Sequence, residues 1–296
     1  MIHEFAVRYK WSEKNTKKNI LPLGLLIIAA LLSVSCQPTR DDVARKTAVA
    51  SNIYSSEVGG IFVPPDTPPS LMRAVLAMTY QENGGGTYAC SATVVGQTEN
   101  RLILTTSAHC FPEENKTPTR LNLGYPGMTT RAAVYRDTIF FSSSKESNSI
   151  VDLAVVAVEK SKELPPMIPL KMSDKPLETG MTVYCAGYTI VRVPWPAVLL
   201  GSKGTISEVS AVRRFESMET NSLSIARLRG DQGASILAAG GHSGGACTGK
   251  NGVLGGIVTG APKDYDQNDP ISITDINPRP GEGRSLRELV DQATPR

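Results

Sequence analysis

Histidine is scarce in this chain: among 296 residues only His3, His109 and His242 carry an imidazole. Any chemistry that needs an imidazole base must use one of those three positions. Long hydrophobic runs are missing as well. The apolar run Leu21 to Ser35 is interrupted by Pro22 and Gly24 and is short of the roughly 20 residues that cross a bilayer as a helix. Charge of one sign is also lacking once the first 36 residues are set aside. Those hold five basic and two acidic residues; 31 basic less five and 28 acidic less two leave 26 of each in the body. A formally neutral body carries no electrostatic footprint for nucleic acid or for an anionic membrane surface. No internal repeat or low-complexity tract is present, and the glycines of residues 240–256 do not form a phosphate loop, because no lysine follows at the required spacing.

What is present centres on Gly240-Gly241-His242-Ser243-Gly244-Gly245-Ala246-Cys247. A serine with glycines on both sides sits on backbone that only small residues bend so tightly. Such a bend exposes a hydroxyl and aims neighbouring N–H groups at one point, as an oxyanion site requires. Gly241-His242-Ser243-Gly244-Gly245 also satisfies the Gly-x-Ser-x-Gly elbow of α/β-hydrolases, whose histidine follows the serine in chain order. No histidine follows Ser243. His242 is next to the serine in sequence, and His3 lies in the leader described below. His109 therefore remains as the base, before the nucleophile in the chain.

His109 closes Thr105-Thr106-Ser107-Ala108-His109-Cys110, and Asp152 opens Asp152-Leu153-Ala154-Val155-Val156-Ala157-Val158. These motifs resemble the Thr-Ala-Ala-His-Cys, Asp-Ile-Ala-Leu and Gly-Asp-Ser-Gly-Gly of trypsin/chymotrypsin-like serine proteases. They stand in the same order, at separations of 43 and 91 residues that are similar to the family's. The resemblance covers residues 57–296. It implies an all-β, chymotrypsin-like fold of two antiparallel six-stranded barrels with the active site between them. It also implies Ser243 as nucleophile, His109 as general base, Asp152 as its orienting acid, and the N–H groups of Gly241 and Ser243 as oxyanion donors. Protein or peptide substrates follow, with no cofactor and no metal. A rival of another class is a binding protein that keeps the fold at the cell envelope but has lost catalysis; such proteins usually lack a triad residue, and here all three candidates are present.

Six residues before the serine, where the family's trypsins carry an aspartate, stand Leu237 and then Ala238; the far wall matches Val258-Thr259-Gly260. A substrate pocket built from Leu237, Ala238, Thr259 and Gly260 predicts a preference for apolar or small side chains. The family's aspartate before the serine, which pairs with a new N-terminal ammonium after zymogen cleavage, is replaced by His242. The matching N-terminal segment reads Glu57-Val58-Gly59-Gly60. Two readings fit: Glu57 pairs with a His242 donor, or Glu57 is solvated and His242 bonds local backbone. Both predict activity without cleavage between Ser56 and Glu57.

Residues 1–36 combine a basic stretch, a short apolar core and a small-x-small end, the pattern of a secretory signal. The run ends in Leu32-Ser33-Val34-Ser35-Cys36, which resembles the lipobox of bacterial lipoproteins except for Ser33. Lipidation at Cys36, ordinary cleavage after Ser35 and an uncleaved anchor all fit this segment; the cysteine count favours the first. In an exported protein an even set of cysteines pairs, and the leftover needs a reason. By resemblance, Cys90–Cys110 is the first-barrel disulfide and Cys185–Cys247 the second. The latter two are displaced by two residues in opposite directions from the family's positions, a change that preserves pairing and face between antiparallel neighbours. Cys36 is left, as a lipid attachment site would be, and the anchor would be the only contact with a membrane. The expected location is the bacterial cell envelope or outside the cell.

Residues 37–56 are polar and aperiodic and read as a tether or short pro-segment; residues 57–296 read as the protease domain. Pro64, Pro65, Pro68 and Pro69 punctuate an extended lead into Leu71–Tyr80. Short β-branched runs follow at Cys90–Val95, Leu102–Thr106, Val151–Val158, Thr182–Tyr188, Thr205–Val209 and Val253–Val258, separated by polar, glycine or proline connections. Only Ser285–Ala293 has a helical period, with Leu286, Leu289 and Val290 on one face.

Overall fold

Strand β2 (Val75–Gln81) illustrates why the strands of this chain read as almost unbroken apolar runs. Successive side chains point to opposite faces. Leu76, Met78 and Tyr80 fill the interior of a barrel, while Val75 and Ala77 face a second core on the other side. β8 (Ala154–Glu159) repeats the arrangement, with Ala154, Val156 and Val158 inside and Val155 and Ala157 outside. A strand buried on both faces cannot alternate with polar residues.

The computed structural model describes residues 61–81, 87–111, 119–126, 128, 131–143, 149–189, 198–214, 221–230, 241–260 and 271–294. The signal-like residues 1–36, with Cys36, and the tether 37–56 lie outside them. Among the described residues no helix is long and apolar enough to cross a membrane.

The first barrel closes in the order β2, β3 (Thr87–Gln97), β4 (Arg101–Thr106), β8, β6 (Ala132–Phe141), β5 (Arg120–Gly124) and back to β2. The second runs β10 (Val198–Arg214), β9 (Thr182–Thr189), β12 (Ala246–Thr248), β13 (Leu254–Gly260), β14 (Ile271–Asp275) and β11 (Asn221–Gly230). Pairing of β10 with β11 then closes it. Two-residue strands β1 (Ile61–Phe62) and β7 (Ser149–Ile150) add in parallel to β10 and β11. This is the all-β, two-barrel architecture the sequence predicts.

Three cores follow. One fills each barrel, and the third lies between them, where Leu71, Val155, Tyr184, Tyr188, Leu199 and Ile257 meet. Helix α2 (Leu286–Ala293) covers that third core with Leu286, Leu289, Val290 and Ala293. Its start is fixed by a capping box: Ser285 Oγ accepts from the Glu288 N–H, and Glu288 accepts from the Ser285 N–H at 2.7 Å. The lead-in segment departs from the extended path expected of it. A single turn, α1 (Pro69–Met72), precedes β2; proline at a helix start loses no bond, because that N–H has no intrahelical partner.

Both disulfides are present. Cys185 and Cys247 are directly opposed across β9 and β12, inside the second barrel. Cys90–Cys110 ties β3 to the turn that carries His109.

Candidate active site

β4 ends at Thr106, and the chain turns through a 3-10 turn, Ala108–Cys110, that presents His109 at the junction of the barrels. Ser107 Oγ fixes this turn to the second barrel by donating to the Val258 carbonyl at 2.9 Å. Asp152 stands just before β8, which pairs with β4, so the neighbouring ladder carries the two side chains to one place. Its Oδ1 accepts the His109 N–H at 2.9 Å, and its Oδ2 lies 2.7 Å from His109 Nδ1. An ionised carboxylate only accepts, so Nδ1 carries the proton and Nε2 presents its lone pair in the neutral ring.

Asp152 is 0% exposed. Burial by itself would raise its carboxyl. The facing His109 and hydrogen bonds from the His109 ring, the Thr259 hydroxyl and the His109 N–H outweigh burial and hold it below the usual carboxylate range. The Thr259 bond is made to Oδ2.

Ser243 sits on a turn with left-handed backbone on both sides, φ +99° at Gly241 and +89° at Gly244. At Gly244 a side chain is excluded twice over: a Cβ would lie 2.0 Å from the Ser91 carbonyl oxygen and 2.1 Å from Thr106 Oγ1. The Gly245 N–H donates to the His242 carbonyl at 2.8 Å and closes the turn. Barrel one holds it from the other side, through the Ser91 N–H on the Ser243 carbonyl at 2.7 Å. That carbonyl also touches the Cys110 sulfur at 3.8 Å, which places the serine's backbone beside the residue that follows His109. His109 and Asp152 are thus joined directly, with the Ser243 turn packed against the same strands.

Other expectations resolve differently. The structure turns Thr259, expected in a pocket wall, inward: it is 1% exposed and its hydroxyl is bonded to Asp152. Alternation along β13 decides this, because Thr259 points opposite to Val258, which belongs to the interior of barrel two. Gly260 ends the strand, partly exposed. Leu237 and Ala238 lie outside the described residues, as does Glu57. His242 is 3% exposed, and its Nε2 has no hydrogen-bond partner among the described residues. Burial pushes its pKa down to about 3, so the ring is neutral. Sulfur atoms of Cys90 and Cys110 and a ring nitrogen of His109 lie within 4.8 Å of one another, but both sulfurs are bound in the disulfide.

Sequence reasoning missed Thr259 as a partner of Asp152, and Ser91 as a partner of the serine turn. A threonine in a β-run signals strand propensity and nothing more.

Among solved structures, the protease domain of MamO from Magnetospirillum magneticum in its apo form is similar, at 15% identity over 77% of this chain and 99% of that one, with a TM-score of 0.49. The active form of the Rv3671c protease from M. tuberculosis is similar at 19% identity over 81% and 92%, with a TM-score of 0.50; that likeness is one of fold. No curated protein sequence matches the chain. The family model for the trypsin-like peptidase domain matches residues 90–257, which is more than half of the chain and encloses His109, Asp152 and Ser243. Two closed barrels, a histidine paired with a buried acid at their junction and that match together place this chain in the trypsin-like peptidase family.

Proposed function

We propose that the chain is a serine endopeptidase that cleaves peptide bonds through an acyl-enzyme. The observation that carries this reading is the contact at 2.7 Å between His109 and the buried Asp152, completed by Thr259 and set against the turn that bears Ser243. Ser243 Oγ attacks the scissile carbonyl, and His109 Nε2 takes its proton and returns it to the leaving amine. Asp152 keeps the ring in the required tautomer and stabilises its charged form. The N–H groups of Gly241 and Ser243 receive the oxyanion, each donor contributing about 3 kcal/mol to the barrier reduction. Water then repeats the sequence on the acyl-enzyme.

Casein hydrolysis and fluorophosphonate labelling of the domain, beside Ser243→Ala and His109→Ala, test the proposal. Loss of turnover by at least about a thousandfold with unchanged folding is expected, because the three residues act as one unit. Variants that keep near-normal activity refute it. Peptide binding without labelling or cleavage would instead identify a silent binding protein.

Leu237 and Ala238, in place of an acidic pocket residue, support a preference for apolar or small side chains. Reporter peptides with arginine, leucine, phenylalanine and alanine before the scissile bond decide it; dominant arginine cleavage overturns the preference. Attachment to a membrane of the cell envelope through a lipidated Cys36 is part of the same proposal. It is supported by the lipobox-like run and by the fact that the other four cysteines are paired.

A further inference from the structure

Ser91 in β3 is 0% exposed, and its three polar groups make four hydrogen bonds at the junction of the barrels. Its N–H donates to the Ser243 carbonyl at 2.7 Å, and its carbonyl accepts from Thr106 Oγ1 at 2.8 Å. Its hydroxyl oxygen accepts the Tyr188 N–H at 2.8 Å and donates to the Gly241 carbonyl at 2.8 Å. With Tyr188 N–H on the oxygen, the single hydroxyl proton is directed to Gly241. A chain of hydrogen bonds therefore runs from the end of β9, through a side chain of the opposite barrel, into the turn that carries Ser243.

That turn needs such a grip. Glycine takes φ of either sign at similar cost, so the backbone preference of Gly241 does not by itself fix its orientation. Gly241 is in the left-handed region at +99°. An oxyanion site works only while its two N–H groups converge on one point. Ser91 holds the backbone on both sides of His242, at Gly241 and at Ser243, and touches neither N–H. Packing alone would be served by alanine; only a hydroxyl reconciles a donor and an acceptor that both belong to barrel two.

We propose that Ser91 is the positioning residue of the oxyanion site: from the opposite barrel its N–H holds Ser243, and its hydroxyl keeps Gly241 in register with it. The proposal rests on the serine endopeptidase reading above and deepens it.

The experiment compares wild type with Ser91→Ala and with the isosteric pair Ser91→Thr and Ser91→Val, well below their melting temperatures. The best of the four reporter peptides gives kcat and KM, and fluorophosphonate labelling gives an independent rate. Ser91→Ala is expected to lower kcat and the labelling rate about tenfold, less than outright loss of an oxyanion donor, with KM within about twofold. Ser91→Thr restores most of the loss and Ser91→Val does not, which separates the hydroxyl from its volume. If Ser91→Ala does not fold, the Thr/Val pair decides alone. The proposal is overturned if the Ala and Val variants melt earlier yet keep wild-type kcat and labelling, or if KM rises while kcat holds. Ser243→Ala is run alongside: if it retains activity, the endopeptidase reading itself fails, and Ser91 loses its role with it.

Discussion

The Thr259 hydroxyl donates to Asp152 Oδ2, the same oxygen that faces His109 Nδ1. One strand of barrel two therefore completes a pair whose two members both belong to barrel one. The pair lies at a joint, so its strength depends on how the two barrels dock.

Thr259→Val keeps the side chain's volume and removes that bond. A hydrogen bond to a charged group contributes about 1.5–3 kcal/mol, so the Asp152 carboxyl should rise toward its ordinary value and stability should fall by roughly that amount. Asp152, held low in the folded state, contributes stability present above the ordinary carboxylate pKa and lost as pH falls through its lowered value. In Thr259→Val that loss should begin at higher pH. Thermal melts of both proteins between pH 3 and pH 7 check it; superimposable curves would count against the bond.

Asp275 titrates with the opposite sign. Burial is the main cause of its shift, with nearby Glu282 adding to it; the Leu177 and Asn277 N–H groups oppose both, and the carboxyl stands at about 6. A raised acid contributes stability that is full below the unfolded value, near 3.9, and is lost as pH rises through 6. Relative to Asp275→Asn, wild type should lose up to about 3 kcal/mol between pH 4 and pH 8. Denaturant titrations across that range measure the difference, and a constant gap would show the carboxyl to be unshifted.

The disulfides close loops of 20 and 62 residues. In the chain-entropy model the first contributes about 3 kcal/mol and the second about 4. Cys185→Ala/Cys247→Ala should therefore melt lower than Cys90→Ala/Cys110→Ala. The activity order should be the reverse, because Cys110 follows His109 directly and its sulfur touches the Ser243 carbonyl. Melting temperature and kcat of the two double variants settle both halves.

His242 is buried and neutral beside the serine. A neutral ring makes no ion pair with a new N-terminal ammonium, so the protein with its tether intact should be active. Full activity in Glu57→Gln would remove the Glu57–His242 pairing and leave this expectation standing. A tether-bearing protein that stays silent until it is cut between Ser56 and Glu57 would reject this.

Cys36→Ala should move the protein from the membrane to the soluble fraction, because acyl chains supply the whole of the proposed anchorage. Mass spectrometry of the mature N-terminus provides the direct reading; an unmodified Cys36 would dispose of the lipid.

Much of this was legible in the chain. Three histidines left His109 as the candidate base; a helical period located α2, and short β-branched runs located all or part of β2, β3, β4, β8, β9, β10 and β13, because burial imprints itself on neighbours in sequence. The sequence marks β10 only over Thr205–Val209: its 17 residues shift register against β11 at several points, which breaks the run that a regular strand shows. Turn α1 hid behind four prolines, residues that signal an extended chain and helix starts equally. What only the tertiary structure decided is which hydroxyl meets which carbonyl across the joint. Thr259 and Ser91 carry no local mark of their roles, since a hydrogen bond between barrels is selected by docking over 107 and 150 residues of separation, not by the residues beside them in the chain.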